Sequence, residues 1–454
     1  MKMYEKPHAL NDYLDKKFEC SCGKTHYAPL KAVYIGSGAI KEIASFLQEH
    51  GYQHPFLIAD NVTYKIAGEA CMKILGEFQI DAVIHVISHA GLDEATVGEL
   101  LIDMPMETDI LIAVGTGAIN DMTRFFSFRT GRPFMTVATA APMDGFASSI
   151  AAIYVNNLKT TFNAQTPVAI VGDTDILKNA PYRMIAAGLG DLLGKFTCLC
   201  DWKLSALINK EHYCAQIVEL VETCAKNVLQ NADKASQRDP KVIGDIMEGL
   251  VLSGVAMSLY GNSRSASGCE HHMSHYWEMM FEQKGERPAP HGTQVGVGTV
   301  LVLKLVEALL AMPKIDFEQA RIHAKSYNEA EWEQNIHMAY GPAAEGIIDM
   351  EKSAQKNAAE GCLKRIDAIE ANWSDIQKLL ADLPSSGSII ELLQQLESPY
   401  LPSQIGIDDA MLKNTMLYCK EVRNRYTILQ LLWDLDLLDS LSDKVIRELG
   451  ELAQ

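Results

Sequence analysis

The sequence predicts an α/β protein in two parts: a parallel-sheet half over residues 1–178 and an all-helical half over residues 179–454. Three observations predict it. Between Lys31 and Thr139, short apolar β-rich runs alternate with amphipathic segments, the pattern of βαβ units around a buried parallel sheet. After GDTDILKNAP, Gly172 to Pro181, those runs cease and 3.6-residue periodicity continues to the end. A length of 454 residues also exceeds one ordinary core and calls for two or three domains.

The predicted strands are AVYIG from Ala32, PFLIAD from Pro55, AVIHVI from Ala82, DILIAVG from Asp109 and PFMTVAT from Pro133. Segments such as IKEIASFLQEH, from Ile40, are the helices between them. Two further runs, Ile150–Tyr154 and Pro167–Val171, flank the polar segment NNLKTTFNAQ and read as a hairpin or strand pair after the last parallel strand. Pro181 suits the first turn of a helix. Helices are predicted over 182–207, 212–231, 241–260, 298–312, 317–333, 346–373, 407–419 and 427–449, and their Leu, Ile and Met stripes read as core packing. The first 30 residues are irregular. Within them Cys20, Cys22 and His26 of CSCGKTH are half of a zinc motif whose other half is not apparent, so a loop is expected.

A formal net charge of -18 argues against a phosphate-backbone footprint, because nucleic-acid binding draws on clustered Lys and Arg. A small anionic substrate needs only a local group of donors and is compatible with that charge. Hydrophobic content of 48% and a mean hydropathy of -0.01 are those of an ordinary folded chain. The ten scattered cysteines suggest reduced thiols. No uninterrupted apolar run reaches the roughly 18 residues of a membrane span, and the charged amino terminus lacks a signal-peptide core. The expectation is a cytoplasmic protein without a membrane span.

Two loops follow predicted strands where open α/β sheets bind ligands. GTGAIND, Gly115–Asp121, is either a tight turn or a turn that lets backbone N–H groups meet a phosphate at a helix amino terminus. Its spacing departs from the GxGxxG fingerprint, since position 120 is Asn. TVATAAPMDGFASS, Thr136–Ser149, places small residues and hydroxyls beside it, with Asp144 either a turn-maker before Gly145 or a functional acid.

A third group points to a metal. A helix from about Ala266 would carry His271 and His275 one turn apart on one face, while His291 arrives from a turn opened by Pro288 and Pro290. Asp191, in GLGDLLGK and one turn from Lys195, is the best candidate for a further ligand. One Asp and two His leave a coordination position open, as catalytic sites do. His272 lies on another face and reads as structural.

GTGAIND, ATAAPMDGFASS, DTDILKNAPYRMIAAGLGDLLGK, GNSRSASGCEHHMSH and PHGTQVGVGT resemble, in that order, the glycerol-1-phosphate dehydrogenase family, a branch of the iron-containing alcohol dehydrogenase and dehydroquinate synthase-like superfamily. The resemblance runs from about Val33 to Lys304, and more loosely to RNRYTILQLL at Arg423. It implies a Rossmann-like domain followed by a helical one, and assembly as a homodimer. It also implies a metal-dependent enzyme interconverting dihydroxyacetone phosphate and sn-glycerol 1-phosphate with NAD or NADP. Carried over residue by residue, Asp191, His271 and His291 would hold the metal, commonly zinc or nickel. The nicotinamide cofactor would lie on Gly117, Ala118, Ile119, Asn120 and Asp121, on Thr139, Ala140, Ala141 and Pro142, and near Ser148. Asp144, Asp191 through the metal, and His275 would face the substrate.

Asp60, ending PFLIAD, sits where relatives place an acid near the adenosine ribose; an acid there favours NAD over NADP. Arg264 and Lys159 are the candidate donors to a substrate phosphate. Relatives often carry Pro where this chain has Ser265 and Ser where it has Cys269; neither is a ligand position. The competing readings are a glycerol or other polyol dehydrogenase, a dehydroquinate synthase-like lyase, and a catalytically silent nucleotide-binding protein.

Overall fold

Six parallel strands form the sheet on which the amino-terminal part is built. The computed structural model describes residues 10–88, 93–155 and 158–452. Among these, a small antiparallel pair, β1 (Phe18–Glu19) and β2 (Thr25–His26), comes first. The sheet strands are β3 (Ala32–Gly36), β4 (Pro55–Asp60), β5 (Val83–Ile87), β6 (Ile110–Gly115), β7 (Phe134–Ala138) and β10 (Ala169–Asp173), in the spatial order β3-β10-β7-β6-β4-β5. Helices α1 (Glu42–His50), α2 (Glu69–Glu77), α3 (Glu94–Asp103) and α4 (Gly117–Thr130) fall between them in the chain.

The continuous apolar runs have a direct cause. Leu57, Ala59, Ile112 and Val114 face one hydrophobic core, while Phe56, Ile58, Leu111 and Ala113 face a second on the other side of the sheet. Both faces are covered, so neither parity of the strand is polar. The five strands predicted before Thr139 all form. The run at Pro167–Val171 does not pair with Ile150–Tyr154. It enters the parallel sheet as β10, between β3 and β7, while β8 (Ile150–Val155) pairs antiparallel with β9 (Leu158–Asn163), inside the segment expected to be a polar connection. The edge strand β3 and the central strand β7 supply the ladder of β10, and that long-range pairing outweighs proximity in sequence.

The helical elements include α5 (Tyr182–Asn209), α6 (Ala215–Leu229), α7 (Pro240–Tyr260), α8 (Cys269–Gln283) and α9 (His291–Leu310), with nine more helices of seven or more residues between Phe317 and Leu452. The predicted spans 317–333 and 346–373 each divide in two, at Tyr327–Asn328 and Gln355–Ala358. Two compact units result: residues 1–192 with 219–262, and residues 193–218 with 263–454. This differs from a break at 178. The first unit reclaims α7 because glycines let it lie close to the sheet domain: a Cβ on Gly254 would sit 2.9 Å from Ala147 Cβ and 3.1 Å from Asp144 O. The second unit has its own core, in which Met273, Tyr276 and Trp277 of α8 pack with Val297, Leu301 and Leu305 of α9.

Helices α7 and α9 are long and apolar enough, by length and composition, to cross a membrane, which departs from the sequence expectation. Their apolar windows are 72% and 83% buried inside the protein, so here they serve as core helices.

Gly188 of α5 marks one tight contact within the first unit. A Cβ there would fall 2.1 Å from the carbonyl oxygen of Ala141, which is backbone and cannot swing aside. Gly188→Ala is expected to destabilise the protein by about 1–3 kcal/mol, the cost of overpacking, despite alanine's better helix propensity. Chemical denaturation should show a lower midpoint; an unchanged or higher midpoint would contradict this contact.

Candidate active site

The first unit presents its loops at the carboxyl ends of β4, β6 and β7. Strand order reverses around β4, with β5 on one side and β6 on the other, and such switch points are where open sheets bind ligands. β6 ends at Gly115, whose Cβ would lie 2.8 Å from Ile119 Cβ, so glycine is needed for the turn to close. Thr116 is the extended N-cap of α4, and Gly117 follows at φ 42°. Gly117 and Ala118 occupy the first two helical positions, whose N–H groups have no acceptor within the helix. Ile119 N–H already donates to Thr116 O at 3.1 Å. The loop after β7 lies alongside, because Thr139 N–H donates to Gly115 O at 3.3 Å. Thr139, Ala140, Ala141 and Pro142 are buried.

Side chains behind this turn divide into two sets. Thr136 Oγ1 donates to Asn120 Oδ1 at 2.7 Å, while the buried Asn120 Nδ2 and Thr116 Oγ1 have no hydrogen-bond partner among the described residues. Orphaned polar atoms of this kind are what a bound polar ligand satisfies. Asp121, by contrast, is committed to the fold: its carboxylate pairs with Arg124 and accepts from Ala152 N–H at 3.4 Å. Arg124 in turn donates to the carbonyls of Gly145 at 2.6 Å, Phe146 at 3.0 Å and Ile150 at 3.1 Å. The Asp121 side chain therefore supports the neighbouring loop. Ser148 Oγ accepts from Ile150 N–H at 3.0 Å, closing the same loop.

Asp60 also has a structural task. Its Oδ1 accepts from Val62 N–H at 2.8 Å and Thr63 N–H at 2.7 Å, capping the short helix Asn61–Thr63. Asp144 and Asp191 meet directly: Asp144 N–H donates to Asp191 Oδ2 at 3.0 Å, and Ser253 Oγ donates to Asp144 Oδ2 at 2.7 Å. Both acids are buried.

In the second unit the histidines of α8 and α9 converge. Ring centroids are 5.2 Å apart for His271 and His291, 5.5 Å for His275 and His291, and 6.3 Å for His271 and His275. His291 is the first residue of α9, with Pro290 as N-cap. Three glycines make the convergence possible. A Cβ on Gly298 of α9 would lie 2.8 Å from Glu270 O, one on Gly194 of α5 2.6 Å from Val295 and 3.1 Å from Glu270 Cγ, and one on Gly268 2.6 Å from Cys198 Cα.

Carboxylates orient the rings. Glu270 Oε1 accepts from His271 Nδ1 at 2.7 Å and from Gly268 N–H at 2.7 Å, and Oε2 accepts from Thr197 Oγ1 at 2.7 Å. Burial alone would raise the Glu270 pKa, but these donors hold it below the usual range. Glu278 Oε1 accepts from His291 Nδ1 at 3.0 Å, a ring nitrogen also 3.1 Å from Ser274 Oγ. Its Oε2 faces His275 Nδ1 at 3.4 Å. A carboxylate can only accept, so the Nδ1 atoms carry the protons and the lone pairs of His271 and His291 lie on Nε2. This is the orientation that metal-binding histidines adopt when a second residue fixes the tautomer.

Glu278, His275 and His291 also form a compact group that could hold an ion. Glu278 instead accepts from two ring N–H groups, which makes it the orienting partner. Burial pushes His275 down to about 4 against the attraction of Glu278, so it is neutral near pH 7 and its Nε2 accepts from Arg423 Nη2 at 3.4 Å. His272, behind them, is fully buried.

Sequence reasoning missed Glu270, Glu278 and two arginines. Arg423 and Arg425 both donate to Ser263 Oγ, at 3.3 and 2.9 Å, and neither has a carboxylate partner among the described residues. Arg425 also bonds Ser263 O at 3.3 Å and Ser267 O at 2.9 Å. Their signal was the RNR of Arg423–Arg425, 148 positions beyond His275 and so invisible to spacing. Arg264 is instead a structural cation: fully buried, it donates to Glu211 at 3.1 and 3.0 Å and to Tyr426 O at 2.9 Å. The side chain of Lys159 lies outside the described residues.

Residues 34–181, which carry the parallel sheet, match the iron-containing alcohol dehydrogenase family. Among solved structures, the iron-containing alcohol dehydrogenase of Thermococcus thioreducens superposes with a TM-score of 0.59 at 12% identity, over 93% of this chain and 99% of that one. A probable glycerol dehydrogenase from Sinorhizobium meliloti gives 0.57 at 16% identity, over 91% and 98%. At those identities the likeness shows the fold. Sequence goes further: glycerol-1-phosphate dehydrogenase (NAD(P)+) of Halalkalibacterium halodurans is 37% identical over 88% of this chain and 95% of its own length. The corresponding protein of Geobacillus stearothermophilus is 31% identical over 92% and 96%. The chain belongs to the glycerol-1-phosphate dehydrogenase family of NAD(P)-dependent oxidoreductases.

Asp201 of α5 ties the histidine helix to the carboxyl-terminal segment, accepting from Cys269 N–H at 2.8 Å and Ile428 N–H at 2.7 Å. Burial and the neighbouring Glu270 charge push its pKa up to about 7. A raised folded-state value means the folded protein binds the extra proton between about pH 4 and 7, so this contribution is complete below about pH 4 and is lost as pH rises to about 7. Unfolding measured across that window should show a slope in Asp201→Asn that is smaller by up to about 1.4 kcal/mol per pH unit. Equal slopes in the two proteins would refute the assignment.

Proposed function

We propose that this protein reduces dihydroxyacetone phosphate to sn-glycerol 1-phosphate with NADH or NADPH, and that Asp191, His271 and His291 hold the divalent metal, zinc or nickel, that the reaction needs. The observation carrying this reading is the pair of buried or half-buried histidines whose Nδ1 protons are taken by Glu270 and Glu278, leaving Nε2 lone pairs for an ion. The family motif GLGDLLGK assigns the acid oxygen of that donor set to Asp191. Asp191 lies three residues before Gly194 on α5, and the missing Cβ of Gly194 would be 3.5 Å from His271 Cε1, which supports its place on the histidine-facing side of the helix.

The residues divide the work. Gly117 and Ala118 offer N–H groups, and Asn120 and Thr116 offer orphaned polar atoms, to the cofactor's pyrophosphate side. Thr139 to Pro142 line the same ligand, and the second oxygen of Asp60, not used by its cap, is available to a ribose hydroxyl, which favours NAD. The nicotinamide supplies the hydride. Held by Asp191, His271 and His291, an ion would supply positive charge where negative charge develops on the ketone oxygen. Asp144 holds Asp191 through its backbone N–H and presents its own carboxylate, steadied by Ser253, to the substrate hydroxyls. Neutral His275, fixed between Glu278 and Arg423, faces the substrate as a hydrogen-bond partner rather than a second cation.

The substrate phosphate falls to Arg423, backed by Arg425, in place of Arg264. Two partly buried guanidiniums with no carboxylate partner among the described residues, next to the histidine cluster, are a ready counter-charge for a dianion. This observation favours a phosphorylated substrate over free glycerol. By family likeness the protein works in the cytoplasm as a homodimer.

Oxidation of NADH should proceed with dihydroxyacetone phosphate and far more slowly with dihydroxyacetone, stop on chelation, and return with zinc or nickel. A chelator-insensitive rate would sink the metal reading, no net NADH consumption would point to lyase-type chemistry, and equal rates with the unphosphorylated ketone would point to a polyol dehydrogenase.

Arg423→Ala should raise KM for dihydroxyacetone phosphate about tenfold to hundredfold, the worth of a charge-assisted hydrogen bond of ~1.5–3 kcal/mol, with little change toward dihydroxyacetone. Equal losses on both substrates would assign Arg423 to structure instead.

A further inference from the structure

The amino-terminal hairpin holds a second donor cluster, made of residues that the reduction does not use. β1 and β2 pair Phe18 with His26 and Glu19 with Thr25. Between them Cys20 N–H donates to Lys24 O at 3.0 Å and Gly23 N–H to Cys20 O at 3.0 Å, with Gly23 at φ 87°. That left-handed glycine folds the chain back sharply enough to bring both cysteines to the same side as His26. The Cys22 N–H donates to Cys20 Sγ at 3.5 Å, the kind of N–H···S contact that favours a thiolate. Cys22 Sγ lies 3.3 Å from His26 Nε2.

His26 is set up as a ligand. It is 1% exposed, and its Nδ1 is 2.7 Å from the carbonyl oxygen of Leu259 on α7, in the same unit. A carbonyl can only accept, so Nδ1 carries the proton and the lone pair is on Nε2, facing the sulfur. Tetrahedral zinc with Zn–S near 2.3 Å and Zn–N near 2.0–2.1 Å separates its sulfur and nitrogen ligands by about 3.6 Å. The ligand atoms of Cys20, Cys22 and His26 all lie within 4.8 Å of one another, close enough to share one ion after small side-chain adjustments.

We propose that Cys20, Cys22 and His26 bind a structural zinc ion, separate from the catalytic metal, that fixes the amino-terminal hairpin against α7. Two thiols lose their protons on binding, and the imidazole enters neutral. The fourth position is taken by a further thiolate of the chain or by water. The cysteines expected to lie in a plain loop thus form a knuckle, and the carbonyl that orients its histidine, on Leu259, is 233 residues away in the sequence.

The test is metal content of the purified full-length protein by elemental mass spectrometry, with zinc supplied during expression. Wild type should hold two ions per chain, His271→Ala one, and Cys20→Ser/Cys22→Ser one. Cobalt substituted into His271→Ala should show intense sulfur-to-metal charge-transfer absorption, whose strength counts the thiolates. This measurement leaves the hairpin intact, so it stands even if the double serine variant folds poorly. If the metal assignment at His271 fails, wild type and His271→Ala both hold one ion that the double serine variant loses, and the hairpin site is still supported. The proposal is overturned if the double serine variant keeps every ion that wild type holds, or if cobalt-loaded His271→Ala shows no thiolate absorption.

Discussion

The second unit depends on the Glu270 carboxylate. It is fully buried, and its three hydrogen bonds join Thr197 on α5, the Gly268 backbone at the start of α8, and His271 itself. An ionised group is tolerated there only because each of those donors is in place, since an unpaired buried carboxylate is costly by several kcal/mol. The three glycines at positions 194, 268 and 298 let the backbones approach closely enough to provide them. The same bonds that make the helices cohere therefore also choose the tautomer of the histidine, so stability and ligand geometry are one constraint.

A comparable economy runs through the sheet unit. Arg124 is buried beneath the loop that follows β7 and bonds three of its carbonyls, while Asp121 balances its charge. GTGAIND is thus two devices in one stretch: its first half turns the chain at the switch point, and its last residue anchors the neighbouring loop. Asp60 repeats the pattern, capping a short helix with one oxygen. Residues that a motif groups together need not share a task, because adjacent positions on a helix point in different directions.

The charge arrangement around His275 follows from where cations are left unbalanced. Arg264 and Arg365 each meet a carboxylate, Glu211 and Asp434, and act as internal struts. Among the described residues, Arg423 and Arg425 meet only Ser263, backbone carbonyls and a neutral imidazole. In a chain of net charge -18 that local excess of positive charge is distinctive, and it bears on the kind of substrate the family site accepts.

Much of this was legible in the sequence. Apolar runs bounded by turns marked the five strands before Thr139, because a sheet buried on both faces leaves continuous hydrophobic stretches. The one-turn spacing of His271 and His275, and the family motifs, pointed to the histidine-bearing helix. What the tertiary structure decided were the long-range partnerships: β10 inserting between β3 and β7, α7 joining the sheet unit, Arg264 pairing with Glu211, and Arg423 reaching His275. Local spacing encodes faces of a helix or strand, whereas pairing between distant segments is settled by packing and by the demand that each buried charge find a partner.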